Sequence, residues 1–174
     1  MPKSKTELSY NDEKIINELM ENARQTSIEI SKKTGLSRQT VQKTINRLEK
    51  NNIIWGYSPV VDLQKIGKKR FVMLVKSTQI LTKEQTKGGI AQIRKMTKDK
   101  DSGELAYSGY YNGRFDWVIA FYAKDVIQAK KVLRDWKISF LEFIDEIYLL
   151  EELLTTREGK FGNPEYEQGM DEIL

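Results

Sequence analysis

The sequence predicts an α+β chain of two domains, with three helices in the N-terminal third followed by strands and helices in the order βαββαβ. Three observations favour this fold class. Apolar residues recur at helical spacing between residues 11 and 50, with Ser, Thr and Gly at the expected helix ends. From residue 71 onward, alternating apolar runs are separated by turn and capping signals. The length of 174 residues suits two small domains.

Composition excludes several functional classes. The chain has no Cys and no His, so it has no disulfide, thiolate nucleophile, Ser-His-Asp triad or imidazole acid-base catalyst. We therefore expect a protein that binds and does not catalyse, without a metal or a cofactor. No apolar run approaches the ~20 residues of a membrane span, and the first ten residues lack a signal-peptide core, which predicts a cytoplasmic protein without membrane contact.

The first two predicted helices carry clear end signals. Residues 11–22 place Ile15, Ile16, Leu19 and Ala23 on one face, and Ser9 or Asn11 can cap the start. Thr26 and Glu29 form a capping box for a short second helix, which should end at Gly35.

The third predicted helix, residues 38–50 with Ser37 as its cap, has one apolar and one polar face. Val41, Ile45 and Leu48 define the buried side, and the opposite side carries no acid before Glu49. A helix-turn-helix needs such a cationic, hydrogen-bonding second helix to enter the major groove of DNA, whereas an ordinary solvated helix face would have a similar pattern. The residues predicted to bind DNA are Ser37, Arg38, Gln39, Thr40, Gln42, Lys43, Asn46 and Arg47.

Charge is segregated along the chain although the net value is only +4. Residues 27–50 hold six cations and two anions, a local charge of +4. Residues 155–174 hold two cations and five anions, a local charge of −3. The local excess of cations over the helix pair favours a polyanionic partner.

Residues 12–24, 28–41 and 45–57 closely resemble the opening of the Lrp/AsnC (leucine-responsive, or feast/famine) family of transcription regulators. Thr44 and Asn52 depart from the family, which often has Arg and Gly there. The resemblance implies a winged-helix-like DNA-binding domain, a homodimer and a higher assembly such as a tetramer or octamer. Residues 53–61 are short and β-prone, and Gly56 and Pro59 argue against a helix, so we expect a connecting hinge strand there. The resemblance implies that this strand pairs with its counterpart in a second subunit.

The second domain is predicted as a ferredoxin-like fold. Its strands are expected at residues 71–78, 105–111, 114–123 and 143–154, with the central pair joined tightly through Asn112-Gly113. One helix should run from Thr82 to about Thr97. The other should follow Asp125 and turn Val126, Ala129, Val132, Leu133 and Trp136 inward.

One face of this sheet is expected to lack cover, because both helices pack on the other face. Phe115, Trp117, Ile119 and Phe121 are predicted on one side, and Val118, Ala120 and Tyr122 on the other. An apolar face left open predicts an obligate dimer through the sheet, unless loops or the N-terminal domain cover it.

The Lrp/AsnC resemblance extends to this domain, called RAM (regulator of amino-acid metabolism) in the family, through Gly113-Arg114-Phe115-Asp116. It implies an amino-acid effector site near this turn, with amide and cation donors for a carboxylate and Asp116 for an ammonium group. The same motif also fits a tight turn whose Gly has a positive φ and whose Asp hydrogen-bonds nearby amides. The predicted effector residues are Ser108, Gly109, Tyr111, Asn112, Gly113, Arg114 and Asp116, with Tyr110 beside them.

The predicted organisation is a tail (1–8), a helix-turn-helix domain (9–52), a hinge strand and linker (53–70), a RAM dimerisation and effector domain (71–154) and an acidic C-terminal tail (155–174). The tail is expected to be flexible, or else to dock through Phe161, Tyr166, Met170 and Leu174 on a neighbouring subunit. The functional hypothesis is a sequence-specific transcription regulator. The alternatives are a siroheme-decarboxylase-like enzyme on the same fold and a weakly specific DNA-packaging protein.

Overall fold

The computed structural model describes residues 7–78, 82–96 and 103–173, and two compact units divide them. Val60 and the residues before it form the first unit together with Arg157–Asn163, and Val61–Thr156 with Pro164–Leu174 form the second. Residues 1–6 of the predicted N-terminal tail and Thr97, the expected end of a helix, lie outside the described residues.

Three helices build the first unit: α1 (Tyr10–Glu21), α2 (Ser27–Thr34) and α3 (Arg38–Lys50). Their end signals are those that the sequence predicts. Thr26 and Glu29 form the capping box of α2, and Gly35 ends that helix in the left-handed region at φ 73°. Ser9 and Asp12 form a capping box on α1. Ile15, Ile30 and Val41, one from each helix, are fully buried together and hold the three helices in place.

The segment after α3 differs from the prediction. All residues from 53 to 62 are described and none lies in a strand, so the predicted hinge strand is absent from the single chain. A strand requires a hydrogen-bonding partner segment, and the chain offers none at this place. Instead, the N–H groups of Ile53 and Ile54 donate to the carbonyl of Leu48 at the end of α3 (2.9 and 3.2 Å).

The second unit is a four-stranded antiparallel sheet with two helices, in the predicted order βαββαβ. Its strands stand in the order β2-β3-β1-β4. The elements are β1 (Lys69–Ser77), α4 (Lys83–Met96), β2 (Glu104–Tyr110), β3 (Trp117–Ala123), α5 (Val126–Ser139) and β4 (Ile144–Glu151), and a 3₁₀ turn at Gln64–Ile66 precedes them.

The core of this unit lies between the sheet and α5. Trp136 of α5 meets Trp117 of β3 edge to face, with ring centroids 5.1 Å apart, and Phe71 stacks on Phe121 at 5.8 Å. Ala129 and Val132 are buried as predicted, whereas Val126 is exposed because it is the first residue of α5 and precedes the turn that contacts the sheet.

The open face of the sheet is apolar, as the sequence predicts. Val72 lies between Ala120 and Leu150, and Leu74 lies between Val118 and Tyr148, so the strand pairings place all six side chains on the face opposite Trp117, Ile119 and Phe121. The prediction that Phe115 shares a face with Trp117, Ile119 and Phe121 is wrong. Phe115 precedes β3, where strand alternation does not apply, and its ring packs against Tyr148 of the open face at 5.6 Å.

The connection between β2 and β3 is longer than the predicted two-residue turn. Tyr110 pairs with Trp117, so residues 111–116 form a six-residue loop. The loop is closed by Asp116, whose backbone N–H donates to the carbonyl of Val75 and whose carboxylate accepts from the N–H of Ser77 (2.7 Å). Gly113 does not have a positive φ, which contradicts the tight-turn interpretation for the glycine, whereas the amide hydrogen bond to Asp116 agrees with it.

The C-terminal segment carries defined structure in place of the expected flexible tail. It forms a small hairpin, β5 (Arg157–Glu158) and β6 (Phe161–Gly162), and a helix, α6 (Tyr166–Ile173). Gly159 turns the hairpin at φ 56°, and Arg157 Nε donates to its carbonyl (3.0 Å). Glu165, just before α6, pairs with Lys65 (2.7 Å), a contact between residues a hundred positions apart.

Candidate nucleic-acid interface

The α3 helix has one face buried in its unit and one face exposed to solvent. Val41, Thr44 and Leu48 are buried against the rest of the unit. Ser37 caps the helix by accepting from the N–H of Thr40 (3.1 Å), which fixes where the outward face begins. All eight predicted DNA-binding residues, from Ser37 to Arg47, are exposed to solvent in the single chain. The helix therefore presents the polar surface that major-groove recognition requires.

A chain of side-chain hydrogen bonds connects α2 to this surface. Ser27, the first residue of α2, donates to the amide oxygen of Gln42 (2.7 Å), and the amide nitrogen of Gln42 donates to Asn46 (2.9 Å). Because both ends of the Gln42 amide are engaged, its orientation is fixed. The sequence gives no local signal for the contact between Ser27 and Gln42, since the two residues are fifteen positions apart.

Arg47, a predicted DNA-binding residue, also has a partner within the chain that the sequence does not predict. Its guanidinium forms an ion pair with the carboxylate of Asp12 in α1, a side chain that is only 3% exposed, while that of Arg47 is 44% exposed. Asp12 also accepts from the backbone N–H of Ser9 (3.0 Å). The pair connects the C-terminal half of α3 to the start of α1, so Arg47 contributes to the position of the helix as well as to its positive face.

Glu49, the first acidic residue of α3, has a hydrogen-bond partner within the chain. Glu49 accepts a hydrogen bond from the hydroxyl of Tyr57 (2.9 Å), and desolvation together with this carboxylate raises the pKa of Tyr57 to about 12. Tyr57, Glu49 and Trp55 line a shallow cleft of about 570 Å³ after α3, and Trp55 is 92% exposed.

Lys33 of α2 pairs with Glu18 of α1 (2.8 Å), and that hydrogen bond lowers the pKa of Glu18.

The predicted effector residues lie on the end of β2 and in the following loop. Ser108 accepts from the indole N–H of Trp117 (2.8 Å), and Tyr110 stacks on the same ring at 4.8 Å. The hydroxyl of Tyr111 hydrogen-bonds that of Tyr107 (2.7 Å), a residue outside the predicted set whose ring also lies against Gly109. Asn112, Gly113 and Arg114 are exposed.

Two charged residues of this predicted site already have partners. Asp116 accepts from Ser77, as described above, and Arg114 lies 3.6 Å from Glu146 of β4. Lys76 contacts both Asp145 and Glu146 (2.5 and 2.9 Å) and lowers the pKa of Glu146 through its hydrogen bond. The loop is therefore tied to both β1 and β4 by charged side chains.

Metal and membrane features are not evident. Among residues 7–78, 82–96 and 103–173, no group of three or more potential ligand side chains is arranged to hold a metal ion. In the part of the chain that the structure describes, no helix has the length and apolar character needed to cross a bilayer.

Comparison with known families and proteins agrees with the helix geometry. A winged helix-turn-helix DNA-binding family matches residues 8–54. An HTH-type transcriptional regulator of Pyrococcus abyssi is 46% identical over 56 residues, which is 32% of this chain and 36% of the relative. The chain thus matches only about a third of the length of such curated relatives (36%).

Two other relatives match over both units. The proline dehydrogenase transcriptional activator of Rhizobium radiobacter is 28% identical over 78% of this chain and 82% of its own length. The leucine-responsive regulatory protein of Haemophilus influenzae is 27% identical over 70% of each chain.

Solved structures share the whole fold. AsnC of E. coli has a TM-score of 0.59 at 19% identity, covering 87% of this chain and 96% of AsnC. The leucine response regulatory protein LrpA of Mycobacterium tuberculosis has a TM-score of 0.69 at 17% identity, covering 90% of this chain and 100% of LrpA. A transcriptional regulator of Neisseria meningitidis, solved in complex with L-Met, has a TM-score of 0.67 at 18% identity, covering 93% and 99%.

The fold and the exposed α3 face define a class: a winged helix-turn-helix protein with a ferredoxin-like second domain. The relatives that match over both units and the AsnC and LrpA structures make the chain similar in sequence and fold to leucine-responsive and AsnC regulators.

Proposed function

We propose that this chain is a sequence-specific, DNA-binding transcription regulator that acts as a homodimer. The observation that carries the proposal is the α3 surface, where Arg38, Gln39 and Lys43 are exposed on a helix held in place by its opposite face. Arg and Gln side chains can hydrogen-bond the edges of guanine and adenine, and Lys neutralises phosphates.

Dimerisation is proposed through the open face of the sheet. Val72, Leu74, Val118, Tyr148 and Leu150 form a continuous apolar surface in the single chain. A second copy covering this face removes it from water and gives the two recognition helices that a palindromic operator needs. Larger assemblies, such as a tetramer or octamer, would let neighbouring sites be bound cooperatively.

An amino-acid effector is proposed to bind near the loop of residues 111–116. The support is the loop chemistry, which offers amide, hydroxyl and guanidinium donors beside Asp116, and the L-Met complex of the similar Neisseria regulator. An effector that binds one assembly state better than another shifts both assembly and promoter occupancy, and the coupling is reciprocal.

The test is selection of binding sites from random DNA, followed by affinity measurements at several salt concentrations. The wild type should enrich a palindromic motif, which a packaging protein would not. Gln39→Ala should change the preferred bases. Lys43→Ala should weaken binding and reduce the slope of log affinity against log salt by about 0.9 for each phosphate that the lysine no longer neutralises.

The matched control is Lys87→Ala, the same change on the exposed surface of α4. It should leave both the motif and the salt dependence as in the wild type. The proposal is wrong if the wild type enriches no motif, or if Gln39→Ala combined with Lys43→Ala binds the selected site normally.

A further inference from the structure

Two apolar stripes in the second unit remain uncovered in the single chain. The α5 stripe consists of Ile127 and Ile138 of α5 and Leu141 in the turn just after the helix, which are 66–76% exposed. The α6 stripe consists of Tyr166, Met170 and Ile173, which are 38–46% exposed. Large apolar side chains aligned on one helix face normally contact another surface. The two stripes do not cover each other within a chain, since all six side chains are exposed.

The α5 stripe is bordered by cations. Ile127 and Ile138 are separated by three helical turns and therefore lie on one line along the helix. Lys131 and Arg134 lie between them on the same side, with Lys130 and Lys137 flanking the line. The single acid of α5, Asp135, is adjacent to Arg134 and contacts it at 3.4 Å. The outer face of α5 is therefore apolar and positive.

A cleft of about 430 Å³ lies beside the end of this stripe, lined in part by Leu141, Ile144 and Tyr148. It is large enough to receive an apolar side chain. Its two acids, Asp145 and Glu146, share contacts with Lys76, and Glu146 also lies 3.6 Å from Arg114. The lysine at its rim, Lys137, belongs to the cationic border of the α5 stripe.

The α6 stripe has the complementary character. Tyr166, Met170 and Ile173 follow the spacing i, i+4, i+7, and Glu167, Asp171 and Glu172 occupy the flanks. The helix is held against its own unit by a close contact, because a Cβ at Gly169 would lie 2.6 Å from a methyl group of Leu154. The Lys65–Glu165 pair fixes the start of the helix (2.7 Å). The helix is thus anchored on the side of Gly169, and the neighbouring apolar stripe remains 38–46% exposed.

We propose that the α6 stripe of one copy packs on the α5 stripe of a second copy, with the acids of α6 facing the lysines of α5. This contact uses α5 and α6 and not the open sheet face, which it adjoins at Tyr148. Each chain carries one of each surface, so the contact either closes reciprocally between two chains or continues around a ring. Where the contact joins chains of different sheet dimers, as we propose, both arrangements produce an assembly of four or more chains.

Charge reversal in the full-length protein tests the contact by size-exclusion chromatography with light scattering. The α5 variant is Lys131→Glu with Lys137→Glu, and the α6 variant is Glu167→Lys with Asp171→Lys. Each should reduce the mass of the assembly by at least half, to that of the sheet dimer. The chain with all four substitutions restores opposite charges and should recover the wild-type mass.

The control is Lys83→Glu with Lys87→Glu, the same reversal on α4, which should not change the mass. The proposal is overturned if the wild type never exceeds a dimer, if either reversal retains the wild-type mass, or if the fourfold variant stays dimeric. It is also overturned if the α5 variant loses affinity for a single operator site at unchanged mass, because that face would then contact DNA. A wild type that binds no operator but assembles as described would refute only the proposed regulator.

Discussion

The ion pair between Asp12 and Arg47 should make two single substitutions destabilise the helical unit unequally. Arg47→Ala leaves a carboxylate that is 3% exposed without its charged partner. Asp12→Asn leaves a guanidinium that is 44% exposed and can be solvated by water. The cost of removing one member of an ion pair depends on the environment of the member that remains. The exposed residue is therefore the more damaging one to remove.

The magnitudes follow from these environments. Truncating one partner of a buried ion pair typically costs about 3–5 kcal/mol. Since Asp12 keeps the hydrogen bond from Ser9 at 3.0 Å, we expect Arg47→Ala to cost about 3 kcal/mol, the lower end of that range. Asp12→Asn retains an acceptor oxygen and should cost about 1–1.5 kcal/mol, the value of an ordinary hydrogen bond.

Urea unfolding followed by circular dichroism measures the total effect, and amide hydrogen exchange in α1 and α3 assigns it to the helical unit. Lys43→Ala, on the outward face of α3, is the control and should change the free energy of unfolding by less than about 0.5 kcal/mol. The reasoning fails if Arg47→Ala costs no more than Lys43→Ala, or if it costs less than Asp12→Asn. DNA affinity of Arg47→Ala is interpretable only where the variant is fully folded.

Two further predictions concern local backbone and pH. Gly35→Ala forces a Cβ into the left-handed region at φ 73° and should cost about 1–2 kcal/mol in urea unfolding, whereas Gly56→Ala, at an open position without a positive φ, should cost much less. Because the pKa of Tyr57 is raised to about 12 in the folded state, the native chain keeps that proton where the unfolded chain loses it, so stability should fall as pH rises from about 10 to 12. The pKa values of Tyr110 and Tyr111 are also raised, so ultraviolet absorbance should show several tyrosines ionising late, and Tyr57→Phe should remove one tyrosine equivalent from that late phase; an unchanged late phase in Tyr57→Phe contradicts the assignment.

Local signals account for the parts of the fold that the sequence predicts well. The bounds of α3 agree with the prediction at both ends, because Gly35 and Ser37 specify where one helix stops and the next begins. The order βαββαβ follows similarly from capping residues such as Asp125 and from apolar alternation. These features depend on residues within a few positions of each other, so a single sequence is enough to identify them.

The features that the sequence does not predict depend on distant partners. Asp116 closes the β2–β3 loop through Ser77, and the sequence predicts a two-residue turn instead because that contact has no local signal. The pairing of Asp12 with Arg47 crosses 35 positions, and Lys65 with Glu165 crosses 100. The predicted hinge strand rests on β-prone composition, but a strand also needs a partner. The roles of the eight exposed α3 residues in DNA binding and of the 111–116 loop in effector binding also depend on partners outside the chain, so both roles stay predictions.

The two faces of α3 have a consequence for how such a protein diversifies. Val41 and Leu48 hold the helix, whereas Gln39 and Lys43 lie on its exposed face and take no part in that packing. Substitutions at Gln39 and Lys43 can therefore change what the helix binds without passing through unstable intermediates, unlike substitutions at Arg47. A library randomised at Gln39 and Lys43 should fold as well as its parent, which makes this helix a suitable scaffold for varying binding specificity.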